Sequence, residues 1–188
     1  NMKDIYRSFE NFENERYLFR TVTMADAPAL LQVYSDKHAL PFFNSDNCHG
    51  DNFYYTTLER MQKAIGFWQD SYDNGWFVRW CIVDKAAGQV IGTVELFTRS
   101  SDDADDGAAV LRLDLRSDCE EENRIAAILS LLLPQIPVFF APRVITKAPC
   151  YAVERQAALK RLGFRPSNSP LIGEDGYAYN GYWENAQI

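Results

Sequence analysis

The sequence predicts one mixed α/β domain over residues 17–188, led in by a short arm at 1–16. Runs of period two and of period 3.6 follow one another in the order β-α-α-β-β-β-α-β-α-β-β, and neither a repeat nor a linker interrupts them. With 188 residues, 47% hydrophobic and 24% charged, the chain has the composition of an ordinary soluble domain. A chain of that length buries about 70% of its unfolded surface without a metal or disulfide staple.

Each element has its own signal. In the arm, Ile5, Phe9 and Phe12 stand at helical spacing, which predicts a packed lead-in. Residues 17–22 read as a strand. Thr23 and Asp26 resemble a capping box, and Ala27, Leu30, Leu31 and Tyr34 share one helical face after it. Residues 41–55 have neither period, so they form a long loop, and their five aromatic residues argue against disorder. Thr56 and Glu59 frame a second capping box, followed by the stripe Leu58, Met61, Ile65, Trp68 and Tyr72, which Asn74-Gly75 stops. Residues 76–84 and 89–99 form a hairpin across Lys85-Ala86-Ala87-Gly88, with Trp68, Trp76 and Trp80 assigned to the core. The acidic stretch at 102–107 is a solvated turn. In 108–116, Leu111, Leu113 and Leu115 alternate with Arg112, Asp114 and Arg116. A third helix runs from near Glu120 to before Pro134, a short strand covers 143–147, and a fourth helix covers 152–162. Two last runs flank Gly173-Glu174-Asp175-Gly176 as a closing hairpin.

Nineteen basic against twenty-six acidic residues give a net charge of −7. Such a surface repels nucleic acid and anionic lipid, so neither is an expected partner, and an anionic ligand needs a local basic pocket. Cys48, Cys81, Cys119 and Cys150 are scattered, with two histidines beside them, which predicts free thiols and no metal site. The most apolar stretch, near 126–133, falls short of the about 20 residues that cross a bilayer. No signal peptide is visible, so the expected compartment is the cytoplasm.

Two local patterns carry a resemblance. The hairpin ends in Val90-Ile91-Gly92-Thr93-Val94-Glu95, and the fourth helix closes in Leu159-Lys160-Arg161-Leu162-Gly163-Phe164. With the element order, these resemble the GNAT N-acyltransferase superfamily, in particular its branch that acetylates amino groups of ribosomal proteins. The resemblance covers residues 16–184. It implies a mostly antiparallel central sheet with one splayed parallel pair of strands, flanked by about four helices. It also implies acetyl-CoA as cofactor, its pantetheine arm entering the splay and its diphosphate resting on amides at the start of the third helix, where orphan N–H groups and the helix dipole favour anions. The implied donor-binding residues are Leu113, Leu115, Arg116, Glu121, Glu122, Asn123 and Arg124. The family's glycine-rich loop is replaced here by residues 115–124, which lack glycine and carry Asp118, Glu120, Glu121 and Glu122. Such carboxylates cap an empty helix and repel a diphosphate. At the start of the last helix, Ala152-Val153-Glu154-Arg155 stands where the branch often has Asn-x-Ala-Ser, and Leu159 where other branches place a tyrosine acid.

Acyl transfer to an amine needs a base and an oxyanion donor. Glu95 and Asp114 are the candidate bases; the plain alternatives are a solvent-facing carboxylate for Glu95 and a cross-strand ion pair with Arg112 or Arg79 for Asp114. The loop residues Asn44, Asp46, Asn47 and His49 are candidates for holding the acceptor, a small-molecule amine or a protein amino group. The alternative is a loop that caps its own backbone. Cys48 beside His49 lacks an orienting third group for a thiolate nucleophile. A non-catalytic binding module without CoA affinity is the competing function. A different pantetheine-type donor reached through Arg116, Arg124, Arg143 and Lys147 is a third. A homodimer is compatible with all of them.

Overall fold

The computed structural model describes residues 2–186. Strands β1 (Phe12–Glu13) and β2 (Tyr17–Thr21) lead into helices α1 (Ala27–Tyr34) and α2 (Leu58–Asp73). Strands β3 (Val78–Asp84), β4 (Gln89–Thr98) and β5 (Ala109–Leu115) follow, then helices α3 (Glu122–Leu132) and α4 (Ile136–Phe139). The chain closes with β6 (Val144–Lys147), α5 (Val153–Arg161), β7 (Arg165–Pro166), β8 (Leu171–Ile172), β9 (Ala178–Tyr179) and β10 (Tyr182–Asn185). Eight strands form one sheet in the order β1-β2-β3-β4-β5-β6-β10-β7, and β8 pairs with β9 apart from it. Every pairing is antiparallel except β5 with β6.

Helices cover both faces of the sheet, so the central strands are buried on both sides. One face packs Phe19, Trp80, Ile91, Leu111, Leu113 and Leu115 against Ile125, Ile128 and Leu129 of α3 and Ala158 of α5. The other lies under Leu30, Val33 and Tyr34 of α1 and Met61, Ile65 and Trp68 of α2. Gly92 is required by contact: a Cβ there would lie 2.0 Å from the Asp114 carbonyl oxygen on β5.

The arm packs as expected, without forming a helix: Ile5 is buried, its carbonyl accepts from Tyr72 Oη, and the Glu10 carbonyl accepts from Trp80 Nε1. Other local expectations are corrected. The cap of α2 is Thr57, whose Oγ1 accepts from the Arg60 amide, so the Thr56 and Glu59 box does not form and Leu58 is exposed. Trp76 is exposed, lying outside β3. The acidic stretch is not simply solvated, because Asp105 is buried against Arg143 at 2.6 Å and Asp103 binds Arg99 at 2.6 Å. Arg112 and Asp114 do not face water, as α1 and the loop after it cover that side of β5. The closing hairpin is nested, with β8 and β9 inside and β7 and β10 outside.

Two predictions follow from packing and charge. Gly92→Ala forces β4 off β5 and costs about 1–3 kcal/mol, read from urea unfolding; a variant as stable as the parent contradicts the contact. The Arg99 guanidinium holds the Asp103 carboxyl well below the usual carboxylate range. The folded chain therefore binds fewer protons than the unfolded one in acid, and this stabilisation is complete above the ordinary carboxylate pKa and lost as pH falls through the folded value. Asp103→Asn flattens that acid limb of a stability-against-pH curve.

Candidate functional site

The face of the sheet under α1 and α2 carries a buried charge cluster. Register sets it up: Arg79 on β3 is paired with Glu95 on β4, and Thr93 on β4 with Asp114 on β5, so their side chains share one face. Arg79 Nη2 donates to Glu95 Oε1 at 2.7 Å, and its Nη1 donates to Thr93 Oγ1 at 2.7 Å and to Asp114 Oδ2 at 3.2 Å. Tyr34 Oη from α1 donates to Asp114 Oδ2 at 2.7 Å. The guanidinium stacks on Trp68 with 4.5 Å to the ring centroid. Arg112 Nε lies 3.8 Å from Glu95 Oε2, so two guanidiniums face two carboxylates in the interior. Burial pushes the Asp114 carboxyl up, against the pull of Arg79 and Tyr34, and Asp114 Oδ1 is buried without a hydrogen-bond partner. Glu95 is 3% exposed, so it is not a solvent-facing carboxylate. The ion pair weighed for Asp114 forms, with Arg79.

The loop between α1 and α2 splits its four candidates. Asp46 is buried; its oxygens each lie 2.7 Å from Lys147 Nζ, and Oδ2 accepts from Tyr182 Oη at 3.1 Å. Asn44 Nδ2 donates to Tyr182 Oη, while Asn44 Oδ1 caps the Asp46 amide. Asn47 Oδ1 instead accepts from the Glu174 amide, and His49 is exposed. Asn47, His49 and Phe53 hold positive φ (59°, 55° and 62°), which Asn and His tolerate and which is strained for Phe53. Arg112 Nη1 donates to Cys48 Sγ, while burial pushes that thiol up, which disfavours a thiolate nucleophile there. A cavity of about 330 Å³ opens beside Phe42, Phe43, Asp46, Lys147 and Tyr151. Sequence reasoning missed Tyr182 and Lys147 as partners of this loop. Their separation of 136 and 101 residues from Asp46 leaves no local signal.

Along the same end of β5, on its β6 side, the sheet opens. Parallel pairing with β6 runs from Ala109 and Val144 to Leu111 and Thr146 and stops there, although β5 continues to Leu115. That opening lies where the resemblance puts a pantetheine arm, and side chains occupy it. Arg155 Nη1 donates to the Leu113 carbonyl at 2.8 Å, and its Nε and Nη2 grip the two oxygens of Glu120 at 2.8 Å each. Glu154 accepts from the Glu122 amide at the start of α3, and Asp36 from the Ser117 amide. The basic residues offered for a diphosphate are themselves occupied: Arg116 by Asp118, Arg124 by Asp84 and Glu121, Arg143 by Asp105 and Glu184, and Lys147 by Asp46. Asn123 Oδ1 accepts from Arg161, and the Leu113 and Leu115 side chains are buried toward α3, leaving only their main chain to a ligand. Arg155 was also missed. Its signal was an arginine in the first turn of a helix, where the dipole disfavours a cation unless a carboxylate compensates.

No family model matches the sequence, and no curated protein matches it significantly. Solved structures do. A GNAT-family acetyltransferase from Bacillus anthracis aligns over 94% of this chain and 98% of its own, with a TM-score of 0.67 and 9% identity. An acetyl transferase from Salmonella typhimurium, which modifies the N-terminal serine of a 50S ribosomal subunit protein, aligns over 94% and 98%, with a TM-score of 0.67 and 14% identity. RimJ of Mycobacterium smegmatis, in complex with CoA-disulfide, aligns over 89% and 79%, with a TM-score of 0.67 and 17% identity. The likeness shows the fold: the chain has the mixed α/β fold of the GNAT acetyltransferases, with the mostly antiparallel sheet and single parallel pair that the resemblance implied.

Removing Arg79 alone strands two buried carboxylates. Arg79→Met is expected to cost about 3–5 kcal/mol in chemical unfolding, and the triple change Arg79→Met, Glu95→Gln and Asp114→Asn to recover part of that loss. A triple variant less stable than the single one contradicts the charge accounting.

Proposed function

We propose that the chain is an N-acyltransferase of the GNAT type, with acetyl-CoA as the donor and a primary amine, in a protein or a small molecule, as the acceptor. The observation that carries this reading is the opening of the sheet beyond Leu111 and Thr146, at the end of the one parallel pair in the fold shared with those enzymes. Acetyl-CoA, when bound, supplies an activated thioester. The chain must then draw an ammonium in, orient it and accept its proton. Asp46 stands at the cavity wall with both oxygens held by Lys147, so an acceptor ammonium has to take the place of the Lys147 ammonium there. Both candidate bases are held by Arg79 through one oxygen, Glu95 at Oε1 and Asp114 at Oδ2; Glu95 Oε2 lies 3.8 Å from Arg112 Nε and Asp114 Oδ1 is buried without a partner, so both stand as candidates. The Salmonella neighbour's serine substrate supports a protein amino group as acceptor. Four free cysteines are consistent with work in the cytoplasm.

The second reading is a binding module of this fold that has lost CoA affinity. The observation favouring it is Arg155 in the strand opening. Calorimetric titration with acetyl-CoA at moderate salt separates the two. Saturable heat, with acetyl transfer that Glu95→Gln or Asp114→Asn lowers by about 10²-fold or more in kcat/KM, supports the enzyme. No heat and no thermal shift at millimolar acetyl-CoA, both in the parent and in a folded Arg155→Ala, Glu120→Ala variant, supports the module.

A further inference from the structure

We propose that Arg155 is a plug in the sheet opening, and that a pantetheine-bearing ligand enters only when Arg155 is displaced. The inference rests on reading that opening as the donor cleft. Beyond Leu111 and Thr146 the two strands no longer satisfy each other, and a carbonyl of β5 is left pointing into the gap. Arg155 fills the gap and supplies the missing donor to Leu113. Its other two nitrogens bind Glu120, on the segment between β5 and α3, and Nη1 also reaches the Phe42 carbonyl at 3.4 Å. One guanidinium thus ties β5, the entry to α3 and the loop after α1 together. Both side chains of the pair are nearly dry, at 4% and 6% exposure. The next residue toward the N-terminus, Glu154, holds the Glu122 amide, so the first turn of α5 closes the cleft and the start of α3 at once.

A buried ion pair is hard to break by removing one partner and easy to replace as a unit, since the charges desolvate together. Arg155→Ala alone strands Glu120, so the informative change removes both. The double variant Arg155→Ala, Glu120→Ala empties the gap. The double variant Arg155→Met, Glu120→Leu removes the charges and keeps the gap filled. Calorimetry with CoA itself, which reports binding without turnover, compares both with the parent, and circular dichroism melts establish that each folds cooperatively. The expected result is binding at least tenfold tighter in the emptied variant than in the parent, with no such gain in the filled one. Equal CoA affinity in parent and emptied variant overturns the plug and leaves the acyltransferase reading in place. A gain in both variants also overturns it, by assigning the effect to charge. If the emptied variant binds CoA tightly and yet transfers no acetyl group to amines, the plug stands and the acyltransferase reading falls. A folded emptied variant that binds no CoA overturns the plug.

Discussion

The guanidinium of Arg79 is the point on which the centre of the sheet depends. It is fully buried and cannot lose its charge, so the fold must surround it with acceptors and counter-charge. Glu95 and Thr93 supply them from β4 and Asp114 from β5 beyond it, Tyr34 ties the cluster to α1, and Trp68 on α2 covers its face. A polar cluster under two helices sets how those helices sit, because a shifted α1 would leave Asp114 without Tyr34. The position of the loop after α1, and of the cavity beside it, follows from that constraint.

The same logic of mutual neutralisation runs through the rest of the molecule. The negative excess does not gather as an open field at the start of α3. Glu120 is consumed by Arg155, Glu121 by Arg124 and Glu122 by Arg161, while Asp118 takes Arg116. The conflict with an incoming diphosphate is therefore less a matter of distant repulsion than of ion pairs and capped amides already in place. An anion arriving here has to compete for partners, one contact at a time, and the buried pair is the hardest to displace.

Most of the architecture could be read from the residues. The β-rich runs at 78–84 and 89–98 mark strands buried on both faces, the stripe of α2 marks a helix buried on one face, and Ile91-Gly92 marks a close approach between strands. What escaped was set by distance along the chain. Thr56 and Thr57 are equally good caps on paper, and only the turn itself chooses Thr57. The arm's helical spacing was satisfied by side chains packing on Trp80 and Tyr72 without a helix. At the site, Glu95 and Asp114 were visible as carboxylates on neighbouring strands, but their enclosure depends on Tyr34 and Arg79, from 35 to 80 residues away from Asp114. The acids of residues 118–122 were legible as an obstacle, while the arginine that completes it comes from α5.

The place of β10 bears on how the molecule comes to exist. It lies between β6 and β7, although it follows both in the chain, and its Tyr182 braces Asn44 and Asp46. A growing chain therefore makes the loop after α1 early and cannot brace it until more than a hundred further residues have left the ribosome. From the emergence of β6 until β10 docks, the free edge of β6 is an unpaired strand, open to wrong partners. Long-range pairings of this kind slow folding, so the brace that Tyr182 gives the loop after α1 is among the last contacts to form.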